Sequence, residues 1–127
     1  VRPAMREKGG GAIVSIAASF SVRQEGNPAY GAAKGGLIAL CQSLARELHP
    51  DNIRVNAISA GPVDTVSSRV ISGYRDMKRI HAERSPMRRN ITVDEIARTA
   101  LYLCSDLSSG VTGEIVHVDT GYNIMGI

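Results

Sequence analysis

The sequence predicts an α/β fold: one half of an open, doubly wound, mostly parallel sheet with helices packed on it. Three observations carry this expectation. A compact apolar run of strand length, Ala12 to Ala17 (AIVSIA), has little polar alternation, which suits a strand buried on both faces of a parallel sheet. A long helical pattern follows it, and a second strand, Ile53 to Ile58 (IRVNAI), follows the helix, so the segment reads as a βαβ unit with a right-handed crossover. A third run, Gly113 to Val118 (GEIVHV), completes a set of three strands. Sheets of this type normally have roughly five or more, so three are too few to bury their own edges.

Taken in order, Val1 to Lys8 is short and charged and reads as the end of a helix, broken by Gly9, Gly10 and Gly11. After the first strand, Ser19 to Gly26 is a polar loop. Asn27-Pro28 then starts a helix, with a capping residue before a proline at the first helical position. Leu37, Cys41, Leu44, Ala45 and Leu48 recur along it at helical spacing, until His49-Pro50-Asp51-Asn52 ends it. Ser59 to Gly73 is a long polar loop carrying Gly61-Pro62, and loops of such length in compact proteins are usually functional. Tyr74 to Glu83 reads as a short helix. Thr92 caps a further one, with Asp94 and Glu95 in its first turn and Ile96, Ala100, Leu103 and Leu107 as its apolar stripe.

Composition narrows the function classes. The 127 residues have room for one domain and one modest core; 43% are apolar and 21% charged, ordinary for a soluble globular protein. The net charge is +3 with a pI near 9.1, and the basic residues are scattered, with Arg88-Arg89 and the looser Lys78-Arg79 pair the doublets of the second half. With one Phe and no Trp there is no aromatic platform for bases, so nucleic acid is not an expected partner and Arg88-Arg89 reads as solvated charge. Cys41 and Cys104 lack metal-ligand spacing and are expected to be buried, reduced thiols of a cytoplasmic protein. His49, His81 and His117 are not spaced as ligands or as a catalytic dyad, and surface or strand positions are expected for all three. No apolar run approaches the ~20 residues of a membrane span, and no signal peptide opens the chain. The first residue is Val1 rather than Met, so the chain reads as a piece of something longer.

Tyr30 and Lys34 are the sharpest chemical signal. Four residues apart at the start of the long helix, they share one face, with Cβ atoms about 5–6 Å apart. A free phenol ionises near pH ~10, too high to release a proton readily at neutrality. A nearby ammonium stabilises the phenolate, by about 4 kcal/mol at ~4 Å and an effective dielectric of roughly 20. Such a tyrosine can protonate a carbonyl oxygen as hydride arrives at carbon. Gly31, Ala32, Ala33, Gly35 and Gly36 around the pair leave space for a bulky ligand or a close helix contact.

At these residues the chain resembles the short-chain dehydrogenase/reductase family. The resemblance rests on AIVSIAAS, NPAYGAAKGGLIALCQSLARELHP, IRVNAISAGPVDT and the closing SDLSSGVTGEIVHVDTGYNIMG, and it covers nearly the whole chain in the family's order and spacing. It implies the C-terminal half of a single Rossmann-like reductase domain, with the N-terminal dinucleotide-binding half outside residues 1–127. It implies NADH or NADPH as cofactor, Tyr30 as the catalytic acid, and Lys34 as the residue that lowers the tyrosine pKa and hydrogen-bonds the nicotinamide ribose. Gly61, Pro62, Val63 and Thr65 match the loop that cradles the nicotinamide carboxamide, and Val63 to Tyr74 resembles the family's mobile substrate-binding segment. The family's substrate-orienting serine falls at Ala18 by register from the strand; Ser19 is the nearest hydroxyl and takes that role if the loop shifts. A dinucleotide site needs a strand, a glycine turn and a helix in succession, and Gly9-Gly10-Gly11 instead precedes a strand.

Two chemistries compete within the family. NAISAGPVDT, SPMRRNIT, LCSDLSSGVTGEIVHVD and GYNIMG resemble bacterial enoyl-acyl carrier protein reductases. Those enzymes usually place their tyrosine seven residues before the lysine, where this chain has Asn27. Tyr30 has instead the spacing of carbonyl-reducing members such as the β-ketoacyl-acyl carrier protein reductases. Both implicate a thioester on acyl carrier protein in fatty-acid synthesis, and a general alcohol or sugar dehydrogenase is a third reading. The family also implies a homo-dimer or homo-tetramer, with the long helix at the interface through Leu37, Cys41, Leu44 and Leu48. A non-catalytic protein pairing through that helix is the reading from a different class.

Overall fold

A computed structural model describes residues 1–18, 28–66, 68 and 72–125. Helix α1 (Arg2–Glu7) ends at Lys8, and Gly9 takes a left-handed φ of 84°. Strand β1 (Gly11–Ala18) follows, then the long helix α2 (Pro28–Leu48), strand β2 (Ile53–Ala60), helices α3 (Tyr74–Arg84) and α4 (Val93–Cys104), and strand β3 (Ile115–Val118).

The strands form one parallel sheet in the order β1-β2-β3. Gly11 pairs with Ile53 and Ala18 with Ala60 along β1 and β2, while Ala57 to Ala60 pair with Ile115 to Val118. Because side chains alternate across a strand, β2 serves two cores. Ile53, Val55 and Ala57 pack under Cys41, Ala45 and Leu48 of α2 on one face. Ile58 and Ala60 pack with Ile91 and Leu103 on the other, where Ile96 and Ala100 of α4 join them. Both faces of the strand are covered, so the polar residues that alternate with its apolar ones, Arg54 and Asn56, are hydrogen-bonded to the segment around Ser105 to Glu114.

The glycine turn and the end of α2 are tied together. The Gly11 N–H donates to the Asn52 carbonyl at 3.2 Å, and the Asn52 side-chain amide donates to the Gly9 carbonyl at 2.9 Å. A Cβ on Gly10, at φ 145°, would stand 2.5 Å from the Asn52 carbonyl oxygen, so no other residue fits there. Buried Asn56 performs a similar task from β2, donating to the Val111 carbonyl and accepting from the Glu114 N–H.

The structure differs from sequence expectation at several points. Helix α4 stops at Cys104, and Leu107, expected in its stripe, is 82% exposed on the following 3-10 turn. The chain turns there because Arg54 binds the Ser105 carbonyl and the Ser108 hydroxyl. Cys41 is buried as expected, but Cys104 is exposed. Cys41 and Leu48, expected to meet a partner chain, instead face the sheet; of the large apolar residues of α2, Leu40 is the one that stands outward, at 52% exposure.

Candidate active site

In a parallel sheet the C-terminal strand ends share one edge, and ligands of open α/β sheets bind outside it. The end of β1 at Ala18, the start of α2 and the loop after β2 meet at this edge. Tyr30 lies in the first turn of α2 and is half-buried; Lys34 lies one turn later. The Lys34 ammonium donates to the Ile16 carbonyl of β1 at 2.8 Å and stands over the Tyr30 ring, 5.8 Å from its centroid. The pair is thus brought together at the sheet edge, with the lysine bridging helix and strand.

The electrostatics run against the sequence expectation. The spacing anticipates a phenol lowered by the ammonium, yet burial pushes the Tyr30 phenol above its ordinary value. Desolvation disfavours the charged phenolate, and the lysine is engaged with the strand carbonyl. A phenol in that state holds its proton through the neutral range. Ser19 and Asn27 lie outside the described residues, whereas Ala18 is the last residue of β1.

The loop after β2 is anchored at both ends. The Gly61 N–H donates to the Val118 carbonyl of β3 at 2.9 Å, and Gly61 and Pro62 are buried. Thr65 and Ser68 close a local turn: the Thr65 N–H donates to the Ser68 hydroxyl at 2.8 Å, and the Ser68 N–H donates to the Thr65 hydroxyl at 3.1 Å. Between them, Val63 and Asp64 are reached from α3. The Tyr74 hydroxyl donates to the Val63 carbonyl, and the Lys78 ammonium pairs with the Asp64 carboxylate at 2.6 Å.

His81 of α3 lies behind this loop and is fully buried, contrary to the surface or strand position expected of it. Its ring stacks on Tyr122 at 4.7 Å between centroids. Burial pushes its pKa down, opposed by the charge of Asp119 and the side chain of Asn90. Asp119, itself buried at the end of β3, accepts from the Gly121 and Asn123 N–H groups at 3.0 and 2.9 Å. His49 and His117 are exposed, as expected. Arg88 and Arg89 are occupied: Arg88 reaches the Glu83 carbonyl, and Arg89 forms a forked pair with Glu95. Sequence reasoning missed Tyr74, Lys78 and His81 as neighbours of the loop, although their spacing (i, i+4, i+7) is that of a single helix face.

This donor set fits the nicotinamide half of a dinucleotide. An ammonium and a phenol at the sheet edge suit ribose hydroxyls, and loop backbone groups suit a primary amide. No pyrophosphate cradle is found among the described residues; the Gly10 N–H already donates to the Met5 carbonyl. Nor do three His, Cys, Asp or Glu residues converge on a metal site among the described residues, and no described helix is long and apolar enough to cross a membrane.

Comparison with known proteins agrees with this geometry. A family model described as enoyl-(acyl carrier protein) reductase matches residues 1–123. The chain is 45% identical over 127 residues to an NADH-dependent enoyl-[acyl-carrier-protein] reductase FabI of Nostoc sp. (strain PCC 7120), covering 99% of this chain and 48% of that protein. It is 46% identical over 117 residues to an NADPH-dependent FabI of Staphylococcus aureus (strain MRSA252), covering 90% and 45%. Among solved structures, a Bacillus cereus enoyl-acyl carrier protein reductase with NADP+ and an indole naphthyridinone superposes with a TM-score of 0.93 at 41% identity, over 99% of this chain and 49% of that one. An Anaplasma phagocytophilum enoyl-(acyl-carrier-protein) reductase in complex with NAD gives 0.89 at 41% identity, over 99% and 48%. The chain therefore spans about half the length of the relatives it matches.

Proposed function

Because the chain belongs to the enoyl-(acyl carrier protein) reductase family, we propose that it forms the catalytic, C-terminal half of a nicotinamide-dependent reductase of fatty-acid synthesis, acting in the cytoplasm on an enoyl thioester carried by acyl carrier protein. The observation that carries the enoyl reading is the similarity to enoyl reductases, which runs through residue 123; the Tyr30–Lys34 pair at the C-terminal sheet edge, beside the Gly61–Thr65 loop, supports a nicotinamide-dependent reductase of either kind.

NADH or NADPH, when bound, supplies the hydride. The remaining work belongs to this chain. Tyr30 keeps its hydroxyl proton because burial raises its pKa, and directs it at the thioester oxygen, where negative charge develops as the conjugated carbon is reduced. Lys34, held against the Ile16 carbonyl, presents its other ammonium protons to ribose hydroxyls. The Val63 backbone offers its amide and carbonyl groups to the nicotinamide carboxamide, and Gly61, Pro62 and Thr65 fix the loop that carries them. Ser19, following the end of β1, orients the substrate oxygen in this reading. The enzyme assembles as a dimer or tetramer, a proposal supported by the outward face of α2, where Leu40 stands among small residues.

A second reading, reduction of a β-ketoacyl thioester, is favoured by one observation: Tyr30 lies four residues before Lys34, a spacing that suits protonation of a ketone oxygen. One assay separates them. With the enzyme produced from its complete reading frame, oxidation of NADH or NADPH by crotonyl thioester, and not by acetoacetyl thioester, is the expected result. The reverse preference overturns the enoyl reading, and no oxidation with either overturns both.

A further inference from the structure

Two side chains of one helix bond two positions of one loop, and a third stands against it. The Tyr74 hydroxyl donates to the Val63 carbonyl, the Lys78 ammonium pairs with Asp64 at 2.6 Å, and the His81 Nε2 stands 3.0 Å from where a Cβ on Gly61 would be. Tyr74, Lys78 and His81 lie at i, i+4 and i+7, so they form a single stripe along α3 facing the residues that follow β2. The stripe is itself fixed. His81 is clamped between the loop and the Tyr122 ring, and neighbouring Asp119 pins the Gly121 and Asn123 amides. Tyr74 is buried, which orders its hydroxyl without a large entropy cost at the moment of binding.

We propose that the Tyr74–Lys78–His81 stripe of α3 is a positioning element for the nicotinamide ring, setting the orientation in which the Val63 backbone presents its carbonyl and amide to the carboxamide. The proposal rests on the reading of Gly61–Thr65 as the nicotinamide loop. A carbonyl oxygen has two lone pairs; the Tyr74 hydroxyl takes one, and the other is the one the proposal assigns to the carboxamide. Hydride transfer depends on ring placement, and a shift of ~1 Å in a bound reactant can lower the rate about a hundredfold. Tyr74 and Lys78 are not catalytic residues in this scheme, since they act only through the loop.

The test compares two ligands that share everything but the nicotinamide: the reduced dinucleotide that the wild-type enzyme binds, and the matching ADP-ribose or 2′-phospho-ADP-ribose. Calorimetric Kd values are measured for wild type, Tyr74→Phe and Lys78→Met of the complete enzyme. The expected result for Tyr74→Phe is a loss of dinucleotide affinity of about three- to tenfold, with ADP-ribose affinity unchanged. Lys78→Met, which keeps the length of a partly exposed side chain, shifts the same ratio in the same direction by a smaller factor. Equal weakening of both ligands by Tyr74→Phe, or an unchanged ratio in the Lys78→Met enzyme, overturns the proposal while leaving the reductase reading intact. A wild-type enzyme that binds neither NADH nor NADPH overturns the reductase reading and this proposal together.

Discussion

At the scale of residues, Tyr30 is governed by two opposed effects, and their balance decides its chemistry. Proximity of an ammonium lowers a phenol pKa, whereas burial raises it. Burial prevails here: desolvation of the half-buried phenol pushes its pKa up. Tyr30→Phe is therefore expected to lower turnover by about 10²- to 10⁴-fold while cofactor affinity stays nearly unchanged, measured by steady-state rates beside calorimetry. A variant that keeps its rate would mean that another group is the acid. His81 supplies a second prediction. Its native pKa is depressed, so the unfolded chain takes up a proton before the folded one does as pH falls. The stability linked to it is complete above the ordinary value of 6.5 and is lost as pH falls from there towards the native value. Urea midpoints are expected to decline over that interval, and His81→Phe is expected to flatten the decline. That Tyr30 and Lys34 share one face at the start of a helix was legible from spacing; their roles as acid and lysine came only from the family resemblance. The direction of the Tyr30 shift and the burial of His81 were not legible, because both depend on which element packs over the residue, and local sequence does not carry that.

At the scale of elements, the start of α4 is the clearest case of local sequence fixing local structure. The Thr92 hydroxyl accepts from the Glu95 N–H at 3.3 Å, and Glu95 accepts from the Thr92 N–H at 2.8 Å, a reciprocal cap anticipated by the Thr-x-x-Glu pattern. Arg89 joins the same carboxylate, and together they hold Glu95 down at about 2. Thr92→Ala is expected to destabilise the protein by about 1 kcal/mol, read as a shift in denaturant midpoint at constant slope. The other end of α4 was misread. The apolar spacing runs on to Leu107, but Arg54, reaching across from β2, captures carbonyl and hydroxyl groups at Ser105 and Ser108 and turns the chain early. A helix end set by a distant side chain leaves no local signal. The stripe on α3 was available from spacing, yet nothing in the sequence says which loop it meets.

At the scale of the whole molecule, the strand-length runs, the crossover and the capping signals together predict the parallel sheet, and all three strands differ from expectation by one or two residues at their ends. Neighbouring strands in the sheet are also neighbours in sequence, which is why the topology could be read so directly. Among the described residues, β1 has a strand partner on one side only. An unpaired edge of this kind templates association. Residues 1–127 prepared alone are accordingly expected to aggregate and to show no tight binding of NADH, as measured by light scattering and calorimetry. A monodisperse, cooperatively melting preparation with micromolar NADH affinity would contradict this.

The hydrogen bond from Gly61 to Val118 also bears on when the site can exist during synthesis. A ribosome delivers Tyr30, Lys34 and the 61–65 loop well before the last strand leaves the exit tunnel. Until Val118 and Asp119 emerge, the loop lacks its anchor on β3, and His81 lacks the Tyr122 ring. A nascent chain interrupted before that point carries Tyr30, Lys34 and the 61–65 loop, yet nothing of β3 to hold that loop in place. In the proposed reading, competence for the cofactor thus waits on β3 and the residues just after it, so a chain interrupted earlier does not sequester the dinucleotide.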